Sequence, residues 1–109
     1  MPRLKLLLDE CVDRRLAAHI PDHTVKTAPE MGWAGLSNGD LLQAAQSEFD
    51  VFLSSDRNLP HQQNLPRFNL AVVILEAPTN RLGDILPLIP DLLRILPELQ
   101  PGEYKTIGS

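Results

Sequence analysis

The sequence contains little of what a disulfide-linked or membrane-spanning protein requires. Its single cysteine, Cys11, cannot form an internal disulfide and suits a reducing compartment. No apolar run approaches the roughly 20 residues of a membrane span, and the leucines before Asp9 form a run too short for a secretory signal. We therefore expect a cytoplasmic protein that does not insert into a membrane.

Basic residues are also too few for a dedicated DNA-binding module. Lysine and arginine number 10 against 14 aspartates and glutamates, which gives a net charge of -4. A protein of this charge has no global positive field to hold duplex nucleic acid. An enzyme that acts on nucleic acid is still compatible with this count, because a cluster of acidic metal ligands would contribute to it.

The residues that are present indicate one α/β domain spanning 1–109. The chain has 109 residues, of which 43% are hydrophobic, enough for a single core. Short apolar runs alternate with segments of helical spacing, which predicts parallel strands joined by right-handed crossovers. The predicted strands lie near residues 4–8, 23–27, 51–53, 70–75 and 104–107.

The predicted helices differ in length and regularity. A short helix follows Asp13, a second covers roughly 39–48, and the polar segment 57–68 should hold at most one helical turn. The last helix carries leucine and isoleucine at spacings of three and four between Leu82 and Leu96. Two prolines must kink or divide it, since proline removes a backbone donor; they are Pro87 and Pro90.

Acidic residues directly follow two of the apolar strands. Asp9 and Glu10 end the first strand, Asp56 ends the third, and Asp40 begins the helix that leads into the third. Sites in open α/β sheets form beyond the carboxyl ends of strands, and neighbouring strands lie only ~4.8 Å apart. Clustered carboxylates repel each other unless a cation neutralises them, and oxygen-only ligands suit Mg²⁺ or Mn²⁺. The pattern favours metal-assisted hydrolysis of a phosphodiester.

Several short segments in and around these acids carry a likeness to a known family: LLDEC at 7–11, GWAGL at 32–36, DLL at 40–42, SSDRNL at 54–59, QQNL at 62–65 and NRL at 80–82. Together they resemble the short PIN-like domains of bacterial proteins. Such proteins are generally regarded as toxins of toxin–antitoxin pairs and inferred to be ribonucleases. The likeness runs from about residue 4 to residue 96.

The resemblance implies a three-layer PIN-like domain with a central, mostly parallel sheet of four to five strands. It also implies an acidic Mg²⁺- or Mn²⁺-binding centre that cleaves RNA, with single-stranded RNA as substrate and a small antitoxin protein as partner; a homo-oligomer is compatible with it. The acids on the matching positions would be the catalytic and metal-binding Asp9, Asp40 and Asp56, with Glu10 as a fourth ligand. The residues that would contact phosphate are Arg57, Asn58 and Arg81.

Two other functions could use the same acids. A phospho-acceptor receiver domain would take Asp56 as its acceptor, Thr79 as its hydroxyl and Lys105 as its lysine. Against it, only a proline-containing loop separates Asp56 from the fourth strand, where a receiver needs a full helix. The second alternative is a catalytically inactive PIN-like binding module, in which the acids pair with basic groups and no reaction occurs.

Overall fold

A computed structural model describes residues 3–108 as a five-stranded, all-parallel sheet in the order β2-β1-β3-β4-β5. The α/β class and the five predicted strands are confirmed. Of the predicted domain 1–109, Met1, Pro2 and Ser109 lie outside the described residues. The strands are β1 (Lys5–Leu8), β2 (Thr24–Thr27), β3 (Val51–Ser54), β4 (Ala71–Glu76) and β5 (Tyr104–Gly108).

The helical segments are short, and prolines explain where several of them begin. A proline is tolerated in the first turn of a helix because its missing N–H would have no partner there. The predicted helix 82–96 is accordingly divided, with Pro87, Pro90 and Pro97 each in a first turn. The α-helices are α1 (Asn38–Ala45), α2 (Leu59–Gln62), α3 (Leu82–Ile85) and α4 (Ile89–Ile95), and the 3₁₀ helices are Arg14–His19, Leu65–Arg67, Leu86–Leu88 and Leu96–Glu98. Within the described part of the chain, no helix has the length and apolarity that crossing a bilayer requires.

The sheet buries apolar side chains on both of its faces. Successive side chains of a strand point to opposite faces, so Leu6 and Leu8 join one core cluster and Leu7 joins the other. The first cluster includes residues of the 3₁₀ helix Arg14–His19, α3 and α4, and the second includes residues of α1 and α2. Burial on both faces explains why these strands are continuous apolar runs in the sequence.

The chain leaves β1 and β3 towards opposite faces of the sheet. Leu16, in the connection from β1 to β2, belongs to the first core cluster, whereas Leu59 and Leu65, in the connection from β3 to β4, belong to the second. Because β1 and β3 are neighbours, their carboxyl ends form the switch point at which open α/β sheets bind ligands. The fold therefore brings Asp9 and Asp56, which follow β1 and β3, to the switch point.

One edge of the sheet is formed by β5, which pairs with β4 in parallel register. Its side chains are exposed except for Ile107, whereas the first five residues of β4 are all buried. β5 thus separates the edge of the apolar strand β4 from solvent. The sequence predicted a terminal edge strand at residues 104–107, and β5 is that strand.

Candidate functional site

One buried hydroxyl connects the two acids at the switch point. Asp9 lies one residue beyond β1, and its N–H donates to the carbonyl of Leu53 at 2.9 Å, which extends the pairing of β1 with β3. Ser54 Oγ donates to Asp9 Oδ2 at 2.8 Å and accepts the N–H of Asp56 at 3.0 Å. Ser54 is fully buried, so this link fixes the end of β1 relative to the loop after β3.

Further donors orient each carboxylate. The N–H of Glu10 donates to Asp9 Oδ1, and the N–H of Asn58 donates to Asp56 Oδ1, both at 2.9 Å. The thiol of Cys11 lies 3.5 Å from Asp9 Oδ2. An ionised carboxylate only accepts hydrogen bonds, so these donors hold both acids in set orientations while leaving acceptor capacity for a further partner.

Sequence reasoning gave Ser54 no role. It is the last residue of β3 and is buried like the three apolar residues before it. A hydroxyl in a position that otherwise takes an apolar side chain must find hydrogen-bond partners. That mismatch between residue type and strand position was the signal that could have identified it.

Ser54→Ala tests the link directly. The substitution leaves Asp9 Oδ2 and the Asp56 N–H without their shared partner, and we expect the free energy of unfolding to fall by about 1–3 kcal/mol. Loss of a group that orients a ligand typically costs ~10- to 100-fold in activity or metal affinity. Urea unfolding and Mn²⁺ titration of the variant measure both effects.

Ser47→Ala is the matched control for this change, because Ser47 is exposed and donates only to the carbonyl of Ala44. It should change stability by no more than about 0.5 kcal/mol. Equal behaviour of the two variants would mean that the Ser54 hydroxyl does not organise the site.

Glu10 contacts a loop. Its Oε1 accepts the N–H of Gly35 at 3.1 Å, and Gly35 has φ +84°, a conformation that glycine adopts without steric cost. Glu10 therefore ties the loop between β2 and α1 to the end of β1. The resemblance implied a fourth metal ligand here. The structure gives one oxygen of this carboxylate a partner within the chain, and a role of Glu10 as a metal ligand stays a prediction.

Glu10→Gln and Glu10→Ala separate these two roles. A glutamine carbonyl can still accept the Gly35 N–H. Under the hypothesis of a metal site formed by the other acids, Glu10→Gln should therefore bind Mn²⁺ with the wild-type affinity. Glu10→Ala removes the acceptor and should lower the free energy of unfolding by about 0.5–1.5 kcal/mol. A tenfold or greater loss of Mn²⁺ affinity in the glutamine variant would instead make Glu10 a metal ligand.

Asp40 lies in the first turn of α1 and is exposed. Its N–H donates to Ser37 Oγ at 3.2 Å, so Ser37 caps the helix. Within residues 3–108, no three side chains of the types His, Cys, Asp and Glu are placed to hold one metal ion. The structure thus connects Asp9 to Asp56 and does not gather Glu10 or Asp40 into a common cluster with them.

Arg57 and Asn58 make contacts that support the loop after β3. Arg57 Nη2 donates to the carbonyl of Ala77 at 3.2 Å, and its Nε lies 3.9 Å from Glu76 Oε1. This ion pair is largely exposed and therefore weak, but the two contacts hold the loop against the end of β4. Asn58 precedes α2 and contributes its N–H to Asp56.

A cleft of about 900 Å³ opens beside Asp9. Its volume lies within the ~300–1,000 Å³ typical of ligand pockets. Of the predicted site residues, Asp9, Glu10 and Arg81 line it. The remaining walls come from the segment after β1, the end of β2 and the loop after β4, through Cys11, Val12, Asp13, Arg14, Thr27, Pro29, Glu30 and Asn80.

Asp13, in the wall of this cleft, already has a cationic partner. The guanidinium of Arg15 donates to both of its carboxylate oxygens, with Nη2 2.7 Å from Oδ2. The side-chain hydrogen bond from Arg15 lowers the pKa of Asp13 to about 2. Asp13 is therefore ionised at neutral pH and forms an ion pair with Arg15.

No protein-family model, characterised protein or solved structure gives a significant match to the chain. The function must accordingly be inferred from the site. Its main features are the pair Asp9 and Asp56, joined by Ser54 at the switch point, and the cleft beside Asp9.

Proposed function

We propose that the protein is a metal-dependent endoribonuclease of the PIN-like class, the toxin of a toxin–antitoxin pair, which hydrolyses single-stranded RNA at a Mg²⁺ or Mn²⁺ site. The observation that carries the proposal is the Ser54 hydroxyl, which joins Asp9 to the loop of Asp56 at the carboxyl edge of a parallel sheet. An open cleft is lined by Asp9, one acid of this pair. A substrate phosphate could therefore approach Asp9 from solvent.

Two carboxylates suffice for the proposed ion. Mg²⁺ usually keeps several waters and binds proteins through one or two carboxylates together with substrate phosphates. Asp9 and Asp56 offer only oxygen ligands, and backbone N–H donors already set their orientation. These residues therefore fit Mg²⁺ or Mn²⁺ without Glu10 or Asp40, and the bound ion would supply positive charge to the phosphate oxygens.

The other residues of the site would bind and position the substrate. Arg81 lines the cleft with Asp9, and a guanidinium can hold a phosphate through two parallel hydrogen bonds. Ser54 ties the carboxylate of Asp9 to the backbone of Asp56. Assignment to the PIN-like toxins, and with it a small antitoxin partner, is supported by the motif resemblance of residues 7–11, 54–59 and 80–82.

The test is cleavage of a short, end-labelled single-stranded RNA in Mn²⁺ or Mg²⁺, with EDTA as the metal-free control. We expect cleavage with either ion and none with EDTA. Asp56→Asn should abolish most of the activity, whereas Asp22→Asn, which changes an exposed turn residue, should retain it. Cleavage that persists in EDTA or in Asp56→Asn would overturn the proposal. Binding of metal and RNA without cleavage would identify the inactive PIN-like binding module.

The receiver domain is the second candidate, because the observed order β2-β1-β3-β4-β5 is also found in that class. The positions of its other residues weigh against it. Lys105 pairs with Val73 inside β5, before the carboxyl edge, and the Thr79 hydroxyl donates to Asp84. Stable labelling of the wild type, but not of Asp56→Asn, by a small-molecule phosphodonor would favour the receiver.

A further inference from the structure

Two arginines of the cleft form no ion pair with any acid among residues 3–108. Arg14 follows β1 at the start of a 3₁₀ helix, and Arg81 follows β4 immediately before α3. Both line the cleft together with Asp9. The ion pairs within residues 3–108 use other cations, namely Arg15, Arg57, Arg94 and Lys105.

Most of the acids in the same cleft form hydrogen bonds with residues other than Arg14 and Arg81. Asp13 binds Arg15, Glu10 accepts the N–H of Gly35, and Glu30 Oε1 accepts the N–H of Thr27 at 3.0 Å. Arg14 and Arg81 therefore line a cleft with four carboxylates and pair with none of them. A guanidinium left unpaired in this way is available to an anionic ligand that enters from solvent.

The cleft also lacks a surface on which a base could stack. None of its lining residues is aromatic. Trp33, the only tryptophan, packs edge-on against Phe49 with ring centroids 6.0 Å apart, and both rings pack in the second core cluster. Proteins that hold single strands by their bases use aromatic platforms, so the groups offered here are suited to the phosphates.

We propose that Arg14 is a second phosphate-binding residue, which acts with Arg81 so that the cleft beside Asp9 holds the backbone of the substrate and is nearly indifferent to base sequence. This proposal rests on the proposed function and deepens it. The cleft supplies the positioning contacts for the strand, and the acids at the switch point supply the reaction centre. Arg57, which is bound to the end of β4, has no part in it.

Binding of a strand that cannot be cleaved tests this proposal separately from catalysis. The probes are fluorescein-labelled 2′-O-methyl hexamers of uridine and of adenosine, titrated in EDTA over a range of salt concentrations and followed by anisotropy. We expect Arg14→Ala and Arg81→Ala each to weaken binding about three- to fivefold. Each should also reduce the slope of log K against log salt by about 0.7, the value for one phosphate contact on a single strand.

Arg67→Ala is the matched control, because Arg67 is also exposed and forms none of these ion pairs. Unlike Arg14 and Arg81, it lies at the amino edge of the sheet, in the connection that leads into β4. It should bind both hexamers as the wild type does, and the two hexamers should differ by less than about threefold. Wild-type affinity and salt slope in Arg14→Ala would overturn the inference, as would a strong preference for one base or no binding of either hexamer by the wild type. If the hexamer results contradict the inference but the wild type still cleaves RNA in a metal-dependent way, the proposed function is retained and only the role of Arg14 is rejected. If the hexamers bind as expected but no RNA is cleaved, only the proposed function is rejected.

Discussion

Asp9→Asn is expected to lower the rate of the proposed RNA cleavage by more than about 100-fold, whereas Asp40→Asn should lower it by less than about threefold. Asparagine keeps the shape of the side chain. Its oxygen can still accept the Glu10 N–H while its NH₂ group donates to the Ser54 hydroxyl, so the fold should be preserved. It removes the negative charge of a proposed direct metal ligand. Losing such a ligand should lower activity by more than the ~10- to 100-fold that is typical when a residue supporting a ligand is lost. Initial rates in Mn²⁺, with Mn²⁺ affinity by calorimetry, measure the difference.

The comparison of these two variants decides how many acids the centre uses. Asp40 is exposed and lies in a capped helical turn, outside any group of acids placed to share an ion within residues 3–108. If Asp40→Asn were as damaging as Asp9→Asn, the three-aspartate centre implied by the family resemblance would form when metal and substrate bind. Unfolding curves of both variants are needed to exclude a loss of fold.

Leu7→Ala should destabilise the protein by about 2–5 kcal/mol, the usual cost of truncating a buried leucine. Leu7 is fully buried in the second core cluster, between β2 and β3 in the sheet. The free energy of unfolding of native proteins is only about 5–15 kcal/mol, so the variant should begin to unfold at much lower urea concentrations than the wild type. The fluorescence of Trp33, which packs against the same cluster, reports the transition.

Leu93→Ala is the control for this prediction, because it is the same chemical change at a side chain that is 37% exposed. It should cost about 1 kcal/mol or less, since little apolar surface returns to water. A similar loss in both variants would show that the core cluster around Leu7 is not better packed than the outer side of α4.

The local elements of this fold could be predicted because their causes are local. Apolar runs such as Ala71–Leu75 indicate strands buried on both faces, and Pro87 and Pro90 divide the last helix wherever that helix packs. The order of the strands is set by pairings between distant segments, such as Leu7 with Phe52. No periodicity within either segment specifies that neighbour.

The candidate site was predictable to a similar extent. Asp9 and Asp56 each follow a buried strand, and the rule for carboxyl edges brings them to one place. The hydroxyl that joins them was not identified, because a serine between an apolar strand and an aspartate is also typical of a turn. The partner of Glu10 could not be identified either, since Gly35 lies 25 positions away on a loop whose course depends on its own backbone conformation.

The position of β5 has a consequence for the protein during its synthesis. A strand with five buried apolar residues and no charge among them, like Ala71–Leu75, is the kind of segment that forms intermolecular cross-β pairs when its edge is free. While the ribosome is still adding the residues that lead to Tyr104, the outer edge of β4 has no strand to cover it. β5, with Lys105 and Thr106 exposed, replaces that edge with a more polar one. Released chains that end before β5 would therefore be more prone to aggregate than chains that contain it.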